Sequence, residues 1–152
     1  MTFNSLTWGV KASFRGYVEA AGGSVELSDG ATRADDGTFV FTAVPGGDLT
    51  IGPDGTASGA MRFEGTVTFE AHGGMLKSTL TELAVEAGEE GLVLTVLEGP
   101  MNQGRCDVAK LKFVESGSGD AVTLAAEITM DGMYQIADNY SPGTELDPVL
   151  LA

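Results

Sequence analysis

From Ala60 to His72 the chain reads AMRFEGTVTFEAH, and its side chains alternate in character. Met61, Phe63, Val67, Phe69 and Ala71 take one parity, while Arg62, Glu64, Thr66, Thr68, Glu70 and His72 take the other. A period of two sends successive side chains to opposite faces of an extended backbone, so this stretch predicts a long strand with one face in a core and the other in water. The backbone N–H and C=O groups of such a strand need partners, which commits the chain to a sheet. Gly65 falls on the buried parity and marks a bulge or a close neighbour.

Further strands follow from β-branched and aromatic content bounded by turn residues. They are Ser24 to Leu27, Thr38 to Val44, Asp48 to Ile51, Gly91 to Leu97, Asp107 to Val114, Ala121 to Met130 and Leu146 to Leu151, with Pro45-Gly46-Gly47 and Gly52-Pro53-Asp54-Gly55 as turns. Leu76, Leu80 and Leu83 also fit a helix, but the threonines of Met75 to Val85 and the preceding Gly73-Gly74 favour a returning strand. Glu98 to Arg105 and Glu115 to Asp120 read as loops.

Two stretches depart from this pattern. In Leu6 to Ala21, at about 100° per residue, Leu6, Val10, Phe14, Val18 and Ala21 fall on one arc, with Lys11, Arg15 and Glu19 opposite, which predicts an amphipathic helix stopped by Gly22-Gly23. Near the end, Asp131 is placed to cap a short helix in which Met133, Ile136, Ala137 and Tyr140 repeat at helical spacing. The sum is a mainly β fold, an antiparallel β-sandwich or curled sheet of about nine or more strands, with an N-terminal helix and a short C-terminal one.

A chain of 152 residues is long enough for one domain with its own core, and residues 1–152 are read as one. The 22 acidic against 8 basic side chains give a formal charge of −14, which repels phosphate backbones and argues against a nucleic-acid partner. An anionic ligand would have to meet local positive charge, with Lys11, Arg15 and Arg62 as candidates. No leader pattern and no apolar run of roughly 18 residues is present, so membrane insertion is not expected and the chain as given reads as cytoplasmic, although a trimmed secreted domain would look the same. The single cysteine, Cys106, cannot form an internal disulfide, and beside Arg105 it is either a lowered-pKa thiol or a small core residue.

The sequence lacks GxSxG, a Walker loop, GxGxxG after a strand and HExxH. What remains is a set of aromatic and hydroxyl groups. Ser13 and Tyr17, four residues apart, share one side of the predicted first helix. Gly9, Ala12, Gly16 and Ala20 lie beside them, and two helix glycines cost roughly 1 kcal/mol each against alanine. Either another element packs into this notch or a flat ligand lies against it. His72, the sole histidine, is either a solvated strand end or a ligand-side residue. A phenol with a pKa near 10 binds a metal only where phenolate is favoured; ferric haem iron favours it by its charge, and an imidazole can hold the oxygen.

LTWGVKASFRGYV resembles the opening signature of the HtaA domain, a haem-binding module of actinobacterial haem uptake and iron transport. FEGTVTFEAHGGMLKSTLTELAVE is similar to that family's strand ending in histidine and glycine, and NYSPGTELDPVLL to its closing motif. The resemblance runs from Leu6 to Leu151. It implies Tyr17 as axial iron ligand, His72 as its hydrogen-bond partner, Ser13 at a haem propionate, and Tyr140 in an aromatic wall whose first member is here Asn139. An amide cannot supply the same apolar stacking surface. Lys77 also stands where the family pattern has an acidic residue.

The leading expectation is therefore ferric haem binding for acquisition or transfer. The alternative is a metal-independent enzyme, a cyclase or isomerase of a small natural product, using Tyr17 and His72 as acid and base. In either case the ligand is small and planar or apolar.

Overall fold

The computed structural model describes residues 3–52, 54–88, 91–97, 104–116, 121–136 and 140–152. Among these the elements run, in chain order, β1 (Ser5–Trp8), α1 (Ala12–Ala20), β2 (Ser24–Ser28), β3 (Thr32–Arg33), β4 (Phe39–Ala43), β5 (Thr50–Ile51), β6 (Ala57–Ser58) and β7 (Ala60–Ala71). A single 3-10 turn, His72–Gly74, then leads into β8 (Leu76–Gly88), β9 (Gly91–Leu97), β10 (Arg105–Ser116), β11 (Val122–Ile128), α2 (Met130–Gln135) and β12 (Glu145–Leu151).

The main sheet closes on itself. Strands β7, β8, β9, β10, β11, β12, β1 and β4 are hydrogen-bonded in that order, and β4 returns to β7 through Thr42↔Glu64 and Ala43↔Phe63. Every pair is antiparallel, so the architecture is an eight-stranded barrel with β2 and β3 added, and the sandwich expectation is corrected to a barrel. Closure removes the edges of the eight barrel strands and, in this sheet, leaves only β2 and β3 with one partner each.

Gly65 does what its place in the alternation suggests. The β7–β8 register shifts between Phe63 and Thr66, and Gly65 sits at φ 134 with Ala31 and Phe41 so near that a side chain there would meet them. At this bulge β7 leaves β4 and takes β2 as its neighbour, pairing Thr66 to Glu70 with Ser28 to Ser24. Where β4 and β7 have parted, α1 fills the gap. Phe14 and Val18 of α1 are buried, the Phe14 ring lies 4.9 Å from that of Phe69 on β7, and Phe69 lies 5.7 Å from Phe39 on β4.

The first helix begins later than its apolar arc suggests. Leu6 and Val10 are buried as expected, but Ser5 to Trp8 is a strand held between β4 and β12, and Val10 turns the corner at φ 64. A spacing of four satisfies a period of two as well as one of 3.6, and buried Trp8 between Leu6 and Val10 fits only the former. At the other end, α2 is capped by Thr129, whose Oγ1 accepts from Gly132 N at 2.9 Å, rather than by Asp131. Ile136 is buried just past that helix, Ala137 lies outside the described residues, and Tyr140 is beyond it.

Candidate functional site

The residues with usable chemistry converge on the outer face of α1. This helix starts at Lys11, whose backbone is extended (φ −158) and whose side chain gives no cap. The cap comes from β12: Asp147 Oδ1 accepts the Ala12 N–H at 3.0 Å, and Oδ2 accepts from Arg15 Nη1 at 2.6 Å. Arg15 also donates to the Gly9 carbonyl at 2.7 Å, while the Asp147 carbonyl accepts the Trp8 indole N–H at 2.7 Å. The notch at Gly9 is therefore occupied by the protein itself, since a Cβ there would run into the Arg15 guanidinium and the Asp147 carboxylate. Gly16 differs: nothing lies within 4 Å of where its Cβ would stand, and it is exposed.

The C-terminal end of α1 carries Tyr17, which is 47 % exposed. Its hydroxyl lies 2.6 Å from His72 Nε2, with the rings 5.7 Å apart and tilted by 55°. His72 reaches it because β7 stops at Ala71 and the chain then passes through three left-handed residues, His72 (φ 55), Gly73 (φ 67) and Gly74 (φ 95). His72 thus leaves the strand instead of continuing its polar face. Such a backbone costs a non-glycine residue about 1–2 kcal/mol, strain that tends to be kept where a side chain must be aimed.

At the N-terminal end of the same face, Ser13 Oγ and the Tyr140 hydroxyl lie 3.4 Å apart. Tyr140 is half-buried with its ring edge-on to Phe14 at 6.3 Å, and Lys11 Nζ sits 5.9 Å from the Tyr140 ring centroid while donating to the Glu145 carbonyl at 2.7 Å. Asn139 lies outside the described residues. Lys77 is exposed on β8 opposite Glu70. Sequence reasoning missed Asp147 and Glu145 altogether; the Leu146-Asp147-Pro148 run inside the closing motif was the available signal.

Ser13, Tyr17 and His72 are exposed and Tyr140 is half-buried, and none of the four lines the clefts of about 320–440 Å³ found at four other places on the described surface. Arg62 lines one such cleft with Asp29, Glu64 and Glu82, and no residue of α1 borders it. Cys106 is buried in β10. Among the described residues no three His, Cys, Asp or Glu side chains gather as a site for a bare metal ion. The displaced carboxyl pKa values also belong to other regions: hydrogen bonds from Thr38 and Thr56 lower Asp36 and Asp54, and burial, then the charges of Glu86 and Asp131, raise Asp107.

The fold and site together define a class of closed antiparallel barrel with a surface helix whose phenol meets an imidazole delivered from a strand-end turn. The chain belongs to the HtaA family, whose family model (Htaa) matches residues 4–152. It is similar to the crystal structure of the C-terminal domain of HtaA from Corynebacterium glutamicum, at 28% identity and a TM-score of 0.76 over 99% of this chain and 94% of that one. The fold is also shared with the N-terminal domain of HtaA from the same organism (24% identity, TM-score 0.78, 99% and 97% covered). The same holds for its heme binding protein HtaB (17%, 0.72, 98% and 91%). No curated protein sequence matches the chain.

Proposed function

We propose that this domain binds ferric haem on the exposed face of α1, where the Tyr17 oxygen would hold its iron, for haem acquisition or transfer. The observation that carries the reading is the 2.6 Å contact between the Tyr17 hydroxyl and His72 Nε2. A phenol is a poor ligand until its proton is removed, and an imidazole at hydrogen-bond distance can take that proton and then hold the oxygen by donating back. Bound haem would supply a ferric centre whose charge favours the phenolate.

The residues present fit such a group. Tyr17 is exposed, Gly16 leaves its neighbourhood open, and the exposed Ala12, Ser13 and Ala20 add little bulk, so a flat macrocycle can approach the helix closely. Ser13 and Tyr140 border the same face, Ser13 as the contact for a propionate and Tyr140 beside the porphyrin. His72 is a positioning residue, fixing the phenol's direction. Titration of the purified protein with haemin tests this: a tyrosinate-type visible spectrum is expected, lost in Tyr17→Phe, and an unchanged titration of that variant sinks the assignment.

A further inference from the structure

We infer that Met75 is an apolar contact for the ligand's ring, so that the turn carrying His72 holds the macrocycle as well as the phenol. This rests on the reading above that a porphyrin lies on α1, and adds to it a residue that touches the ring and not the iron.

The turn between β7 and β8 carries side chains only at its two ends. Gly73 and Gly74 bear none, and nothing lies within 4 Å of where a Cβ on Gly73 would stand. At one end His72 Nε2 lies 2.6 Å from the Tyr17 hydroxyl. At the other Met75 is tied back to His72, its N–H donating to the His72 carbonyl at 3.3 Å. Leu76, the next residue, pairs with Ala71 and packs against the core, which fixes the start of β8 and leaves Met75 outside it. The Met75 side chain is 91 % exposed, whereas Val114, Met130 and Leu150 reach at most 60 %. Covering an aliphatic side chain of this size is favourable, and the fold itself leaves this one in water.

The neighbouring face lacks what Met75 offers. Around Tyr17 the helix presents Gly16 and Ala20, which allow close approach but supply little apolar area to a ring. Half-buried Tyr140 borders the far end, beside Ser13, and Met75 stands three residues from the imidazole at the Tyr17 end. Methionine suits the place by its chemistry. Its unbranched chain adapts to an irregular surface, and its polarisable sulfur packs favourably on aromatic rings, of which a porphyrin is one. A ring seated between Tyr140 and Met75 is bounded at both ends of the helix face.

The test measures binding of haemin and of iron-free protoporphyrin IX to the wild-type protein, Met75→Ser and Met75→Leu. Met75→Ser should weaken both porphyrins by about tenfold, the scale of covering part of one such side chain, while keeping the tyrosinate spectrum with haemin and the thermal midpoint. Met75→Leu should restore both affinities, because apolar area and not sulfur ligation makes the contact. Unchanged affinities in Met75→Ser, or a loss confined to haemin, overturn the inference and leave the Tyr17 reading standing. A wild type with no tyrosinate spectrum, whose protoporphyrin binding still depends on Met75, overturns the Tyr17 reading and upholds this one. Wild type that binds neither porphyrin overturns both.

Discussion

The carboxylate of Asp147 caps a helix that begins 135 residues earlier, taking the Ala12 N–H on one oxygen and the Arg15 guanidinium on the other. The last strand thereby sets the direction of the helix that presents Ser13 and Tyr17. Replacing Asp147 with Ala removes a cap, strands Arg15 at 13 % exposure, and should cost about 2–3 kcal/mol. Asp147→Asn keeps an acceptor for the cap and should lose less. Urea midpoints for the two variants give the comparison, and equal losses would show that capping contributes nothing.

Gly16 and Gly9 should respond to alanine with opposite signs. Gly16→Ala meets nothing within 4 Å and should stabilise the fold by up to about 1 kcal/mol, because alanine is the better helix former. It should also weaken haemin binding, since its methyl group stands on the face proposed to lie against the ring. Gly9→Ala drives into Arg15 and Asp147 and should destabilise. Thermal unfolding with a parallel haemin titration reads both effects.

His72 should show a trade between stability and binding. Its φ of 55 suits glycine or asparagine better than histidine, so His72→Gly should relieve about 1 kcal/mol of backbone strain. The same change deprives the Tyr17 oxygen of its partner, and haemin affinity should fall by about tenfold, the scale of one hydrogen bond to a charged group. A variant more stable than wild type yet equally good at binding would remove His72 from the site.

Asp107 offers a test with a defined sign in pH. Burial, followed by the charges of Glu86 and Asp131, raises its carboxyl above the ordinary 3.8. A raised folded-state pKa means that the group's favourable contribution is complete below the unfolded value and disappears as pH climbs through the folded one. Asp107→Asn should therefore be more stable than wild type at pH 7, with the advantage closing as pH falls below about 4. Denaturation midpoints across that range decide it.

Much of the fold is legible locally. The alternation of Met61, Phe63, Val67, Phe69 and Ala71 gives β7 and its buried face, and the same alternation flags Gly65 as a bulge. Closure is not legible, because it depends on Thr42 meeting Glu64, a pairing that no local period encodes. Nor is the start of α1, because a spacing of four fits two periods at once. Within the site, helical spacing puts Ser13 and Tyr17 together, whereas the approach of His72 came from family resemblance and not from its place in the strand. Asp147 was invisible as a cap because its partners lie at the other end of the chain.

Because α1 fills the opening where β7 trades β4 for β2, the helix proposed to carry the ligand is also the stopper of the barrel wall. Occupancy on its outer face should then be felt on its inner one: loading should slow amide exchange around Phe39 and Phe69 beneath it, and loosening the wall should hasten release of whatever the helix carries.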